Sequence, residues 1–160
     1  MTGTIKPAPV RKRLEVAADP ALAFQVFTSS MGSWWPKSHS IGKKDRLADL
    51  VIEPRVGGRW YGVDDDGEEC QWGDVLVWSP PTRLVLAWRI SAEWRYDPNL
   101  LTEVEVKFLP SPSGTVVEFE HRLLENYGPM GEEMRKGVDG EGGWTGILAL
   151  YKALADAGKL

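Results

Sequence analysis

Val10, Leu14 and Val16 alternate with Arg11, Arg13 and Glu15 in VRKRLEV, the two-residue period of a strand with one buried face, which Lys12 interrupts. In ADPALAFQVF, Asp19 stands where an N-cap accepts a backbone N–H, and Pro20 takes the first helical position, where its missing donor costs nothing. A short helix is therefore predicted from Pro20 to about Thr28. Gly, Ser and Pro break up SSMGSWWPKSHSIG, which reads as half a turn of helix over Met31 to Trp35 and then a loop. The texture then turns to β. DLVIEPRVGGRWYGV reads as two strands about Gly57-Gly58, and DDDGEE as a turn with Gly67 at positive φ. WGDVLVWSPPTRLVLAW reads as a hairpin cornered at Pro80-Pro81, and LLTEVEVKFLPSPSGTVVEFEHRLL as a second cornered at PSPSG. Residues 124–143 are rich in glycine, with PMGEEMRKG as a short helix lacking an evident core face. Trp144, Ile147, Leu148, Tyr151, Leu154 and Ala155 recur at helical spacing and predict a helix from about Gly143 to Ala157. Strand, helix, six antiparallel strands and a terminal helix predict an α+β fold, helices packed on one face of an antiparallel sheet with a space between. One domain over residues 1–160, with its core at about 8–157, is expected.

Parity assigns faces within the hairpins. A four-residue corner over Ser79 to Thr82 sets Gly73 opposite Trp88, Val75 opposite Leu86, Val77 opposite Leu84 and Trp78 opposite Arg83, and opposed side chains share a face. Trp88 then points inward, followed by Ile90, Trp94 and Tyr96 if the strand extends, while Trp72 and Trp78 point to solvent over Arg89 and Arg83. Gly73 leaves room for the Trp88 ring, and a one-residue bulge would exchange the faces. In the next hairpin Thr102, Val104, Val106 and Phe108 face inward with Thr115, Val117, Phe119, His121 and Leu123, and Thr102 is expected opposite His121 as its hydrogen-bond partner.

Composition narrows the function by exclusion. A net charge of -4, with Arg11, Lys12 and Arg13 as the one basic cluster, argues against a nucleic-acid partner, which needs a basic footprint. Cys70 is alone, so no internal disulfide forms. The start MTGTIKPAPVRKRLEV lacks the apolar run of a leader, and no stretch approaches the roughly 20 apolar residues of a membrane span. A cytoplasmic location and no membrane span are expected. With two histidines and one cysteine, no metal site is expected, and no cofactor motif stands out: Gly57-Gly58 lacks the spacing of a phosphate loop.

Candidate chemistry is sparse. His121 on an apolar face reads either as a histidine satisfied by Thr102 or as the polar handle of a pocket. Ser38-His39-Ser40 sets hydroxyls beside an imidazole, but neighbours in a loop do not by themselves make a triad. Glu53, Arg55 and Arg59 read as a pocket charge pair or, more simply, as a surface bridge. The aromatic residues, among them eight tryptophans, exceed what a core usually uses, and aromatic walls with a few polar tips describe small-molecule pockets.

The order of VRKRLEVAADPALAFQVFT, IEPRVGGRWY, DGEECQWGDVLVWSPPTRLVLAW, EFEHRLLENYG and GGWTGILALYKALA resembles the Aha-type family, named for the activator of the 90-kDa heat-shock chaperone ATPase. That family lies in the START-like, SRPBCC superfamily. The resemblance implies a helix-grip fold, a curved antiparallel sheet wrapped around the C-terminal helix with a cavity between them. The family's glycine turn falls on Gly57 and Gly58, its strand start on Gly73 and Val75, its corner on Pro80 and Pro81, and its strand tryptophan on Trp88. Its histidine falls on His121 and its helix start on Gly143 and Trp144, all of which are architecture rather than a catalytic signature.

The leading expectation is a non-enzymatic binder of a small apolar or aromatic molecule. Its site would draw on Trp35, Tyr61, Trp88, Trp94, Tyr96, Thr102, Val104, Phe119, His121, Trp144, Leu148 and Tyr151, with residues 124–143 and the MGSWWPKSHS loop gating the mouth. A second expectation is a cyclase- or hydrolase-type enzyme with His121 as general acid or base, positioned by Thr102 and helped by Arg59. A third is a chaperone-partner or protein-interaction module using an exposed face of Trp72, Leu76 and Trp78. A homodimer stays open.

Overall fold

The computed structural model describes residues 7–42 and 46–158; residues 1–6, the beginning of the segment read as lacking a leader, lie outside the described residues. Strand β1 (Val10–Val16) has both ends of its apolar face buried, and Lys12 on that face is accommodated because its ammonium reaches Asp139 at 2.5 Å. Asp19 caps α1 (Pro20–Thr28) by accepting from Leu22 N at 2.8 Å, and the one-turn α2 (Met31–Trp34) follows. The remaining strands are β2 (Leu47–Ile52), β3 (Arg59–Asp64), β4 (Glu69–Ser79), β5 (Arg83–Trp88), β6 (Thr102–Ser111) and β7 (Gly114–Arg122). They form one antiparallel seven-stranded sheet in the order β1-β7-β6-β5-β4-β3-β2. A 3-10 stretch over Leu124–Met130 leads into α3 (Gly131–Asp139) and α4 (Trp144–Asp156).

The sheet curls around α4, which buries Trp144, Ile147, Leu148, Tyr151 and Ala155, the stripe read from the sequence. This is the helix-grip, α+β arrangement. Against expectation α3 has a core face: Met134 and Val138 are buried, one helical turn apart.

The faces of β4 differ from simple alternation, because the strand carries two bulges. Gly73 pairs with Trp88 and Val75 with Leu86 as expected, but the next pair is Val77 with Val85, so Leu76 is inserted. Trp78 therefore opposes Leu84 rather than Arg83 and turns inward, its ring 5.1 Å from Phe24. Against β3 the pairs Trp60–Gly73 and Tyr61–Gln71 make Trp72 the extra residue. An inserted residue breaks the two-residue period, so neighbours on either side of it reach the same face. Trp72 is 1% exposed among Trp35, Trp60 and Trp88. The expectation that Trp72 and Trp78 face solvent is thus overturned, and with it the exposed Trp72–Leu76–Trp78 surface. Arg83 and Arg89 meet carboxylates instead of indoles, Glu105 and Asp74 respectively. The ring lying over Gly73 belongs to Trp60, not Trp88.

Between β6 and β7 the corner is two residues tighter than read, and His121 opposes Val104 rather than Thr102. A shift of two preserves parity. Thr102, Val104, Val106, Phe108, Thr115, Val117, Phe119 and His121 are accordingly all buried on the concave side.

Candidate functional site

A cavity of about 340 Å³ opens between the sheet and the start of α4. Trp72, Trp88 and Ile90 wall it from the sheet; Trp35 and the loop Ser38, His39, Ser40 and Ile41 close one side. Gly137, Val138, Gly142, Gly143, Trp144 and Ile147 close the other, and Trp94 stands at the rim. Each indole has a local reason for its place. The bulge delivers Trp72. Trp35 follows α2 in extended backbone and donates Nε1–H to the carbonyl of His39 at 2.7 Å. Trp144 opens α4 directly after Gly143, where a Cβ would stand 2.3 Å from the Val138 carbonyl oxygen, so glycine is what lets α3 and α4 meet this closely. Trp94 ends a turn in which its N–H donates to Ser91 O at 2.9 Å; it holds φ 61° and is 48% exposed. The left-handed region is costly for a bulky residue, and such conformations cluster at ligand clamps and active sites.

Behind this wall runs a fully satisfied polar relay. Trp144 Nε1–H can only donate, so at 3.0 Å it fixes His121 Nδ1 as the acceptor and places the ring proton on Nε2. Nε2–H donates to Thr102 Oγ1 at 2.9 Å, and that hydroxyl donates to the Trp88 carbonyl at 2.9 Å. Burial of the whole ring pushes the His121 imidazole down to about 3, so it is neutral throughout the ordinary pH range. On the other side Trp88 Nε1–H donates to Tyr127 Oη at 3.0 Å, which donates to Ile90 O at 2.6 Å. These two chains hold the Trp88 and Trp144 rings at a centroid distance of 5.5 Å.

At the mouth, His39 ties its own loop to the segment between α3 and α4: Nε2 lies 2.7 Å from the Gly142 carbonyl and Nδ1 2.9 Å from Ser38 Oγ. His39 is the one imidazole among the described residues that line the cavity. No group of three or more His, Cys, Asp and Glu among the described residues could hold a metal ion. No helix among them is long and apolar enough to cross a membrane.

Of the residues proposed from sequence, Trp35, Trp88, Trp94 and Trp144 meet at the cavity. Thr102, Phe119 and His121 stand one layer behind it, Phe119 with its ring 4.5 Å from Trp144. Val104 is buried in the sheet, Leu148 lies further along α4, and Tyr151 points away to donate to Ala23 O at 2.8 Å. Tyr61 is on the convex face beneath the Arg59 guanidinium, 4.0 Å from its ring centre, because its neighbour Trp60 takes the inward position. Tyr96 is exposed beyond the end of β5, bridging Ile90. Arg59, cast as a helper in the enzymatic expectation, pairs with Glu53 and Glu69 on the surface. Trp72, Ser38, His39, Ser40, Ile41, Ile90, Val138 and Ile147 also line the cavity and are not among the residues proposed from sequence. The Ser38–Ser40 loop and the glycine segment were nevertheless assigned to the mouth, and Ile147 sits one turn from Trp144 on the stripe already recognised.

Comparison with known proteins adds three findings. The profile of the family described as Activator of Hsp90 ATPase homolog 1-like protein matches residues 17–156. No curated protein matches the chain. Among solved structures, the anthrahydroquino-γ-pyrone synthase Txn09, complexed with SUM, is 42% identical, with a TM-score of 0.65 over 93% of this chain and 97% of that one. CalC from Micromonospora echinospora, a self-sacrificing resistance protein, is 28% identical with a TM-score of 0.68 over 96% of this chain and 97% of its own. The Aha1 dimer from Colwellia psychrerythraea, 16% identical with a TM-score of 0.62 over 96% and 99% of the two chains, shares the fold.

Proposed function

This chain belongs to the activator of Hsp90 ATPase homolog 1-like family, and on that premise we propose that it binds a small planar aromatic molecule in the tryptophan-walled cavity. The carrying observation is the wall itself: Trp35, Trp72, Trp88, Trp94 and Trp144 surround about 340 Å³, and the polar side chains come from one loop, Ser38 to Ser40. That volume falls in the range of small-molecule sites, roughly 300–1,000 Å³. Flat rings stack on indole faces at a gain of about 0.5–1.5 kcal/mol per pair beyond burial, so several indoles around one space favour a flat guest over an aliphatic one. A cytoplasmic setting accords with the lone Cys70. Native mass spectrometry of freshly purified protein tests the reading. A retained aromatic molecule, lost on Trp88→Ala, is expected; protein that stays empty after incubation with two- and three-ring aromatics overturns it.

A second reading, ring closure on an aromatic substrate in the same cavity, draws support from the 42% identity to a γ-pyrone synthase. On that reading the proton falls to His39, which lines the cavity, rather than to His121, which is fully buried behind Trp144 and does not line it. Turnover retained in His39→Phe would count against it.

A further inference from the structure

The hydrogen bonds at the mouth have a direction, and the direction selects a ligand group. The Gly142 carbonyl only accepts, so its 2.7 Å contact requires the neutral His39 ring to carry its proton on Nε2. Nδ1 then presents a lone pair, and the 2.9 Å contact from Ser38 is an O–H donated to it. With its hydrogen committed, Ser38 Oγ has only lone pairs left. Ser40 is set the opposite way: Gly42 N–H donates to its oxygen at 3.0 Å, which leaves its own O–H to give. Both serines line the cavity and every other side chain around them there is apolar or an indole, His39 apart.

We infer that Ser38, polarised by His39 and Gly142, is the specificity-determining acceptor of this pocket, selecting aromatic ligands with a hydroxyl at the edge facing the mouth. The inference rests on the proposed aromatic-binding function. An aryl hydroxyl donates to Ser38 Oγ, whereas an aryl ether has no hydrogen to give and brings a second acceptor against it. Ser38 is exposed at the mouth, where water can replace a missing partner, so the discrimination is that of one net hydrogen bond. Ser40 complements this by donating to a neighbouring oxo group, so the fitting edge carries a hydroxyl beside a carbonyl.

Isothermal titration calorimetry with 2-naphthol and 2-methoxynaphthalene, near pH 8 and below the phenol range of about 10, tests it. The wild-type chain is expected to prefer 2-naphthol by about tenfold, the upper end for a net hydrogen bond. Ser38→Ala should bring the ratio close to one. His39→Phe keeps a ring of similar size but frees the Ser38 hydroxyl to turn and donate, so the ether gains and the ratio falls as well. Equal affinities in the wild type, with both probes bound, overturn the inference while leaving the aromatic-binding reading in place. So does a preference that survives Ser38→Ala. Binding of neither probe overturns the aromatic-binding reading and this inference with it.

Discussion

Replacing His121 by glutamine isolates what a neutral, sealed imidazole does to stability in acid. An imidazole in the unfolded chain titrates near 6.5, whereas burial holds the folded one down to about 3. Between those values the unfolded chain binds one proton more than the folded chain, so stability rises with pH across that window. The contribution is fully present above about pH 6.5 and is lost progressively below it, at about 1.36 kcal/mol per unit. At pH 5 the loss is about 2 kcal/mol. Glutamine does not titrate, yet its carbonyl can accept from Trp144 and its amide can donate to Thr102, so the relay keeps its polarity. Urea unfolding followed by far-ultraviolet circular dichroism, on both proteins at pH 7 and pH 5, gives a double difference. Burial raises the Glu105 and Glu120 carboxyls, but hydrogen bonds to Arg83, Arg11 and Arg122 hold both below their ordinary range. Their stabilisation fades at lower pH and is common to the two proteins, so it cancels. The wild type should lose about 2 kcal/mol more than His121→Gln between pH 7 and pH 5. Equal losses would refute the sealed, neutral His121.

Two further substitutions probe the sheet. In Gly73→Ala the new Cβ would stand 1.7 Å from the Ala87 carbonyl oxygen, so β4 and β5 must separate locally; a loss of about 3 kcal/mol is expected, and a thermal midpoint unchanged from wild type would contradict the close approach. Arg122→Leu removes the cation shared by Glu103, Glu105 and Glu120 on the convex face. About 1 kcal/mol should be lost at low ionic strength and much less in 1 M salt; a salt-independent loss would assign the effect to packing.

Much of this molecule can be read from residue order because its local signals agree with its tertiary contacts. Asp19-Pro20 starts α1 where capping chemistry says, the α4 stripe is the buried stripe, and Gly67 holds φ 85° in the turn expected of it. Parity served equally well on β6 and β7, where a two-residue register error left every face correct. It failed on β4, since an alternation argument has no means of seeing an inserted residue, and the two insertions there concern two tryptophans. The same blindness explains the site. Trp35, Trp88, Trp94 and Trp144 were legible as aromatic surface, but Trp72 was assigned to the wrong face. His121 drew attention because it stood out on an apolar strand, while His39, in a loop without periodicity, gained its position only through a contact 103 residues away in sequence.

The crowding of indoles has an optical consequence. Trp34, Trp35, Trp72, Trp60, Trp88 and Trp144 form an unbroken series with successive centroid distances of 5.9, 5.3, 5.5, 5.8 and 5.5 Å. At such separations excited states are shared among rings by dipole coupling, so light absorbed anywhere in the series belongs to the series as a whole. Near-ultraviolet circular dichroism should then show paired bands of opposite sign from exciton splitting, and these vanish on unfolding. An aromatic guest in the proposed site that accepts energy from any one ring would drain the whole set, which would make the protein's own glow a collective reporter of occupancy.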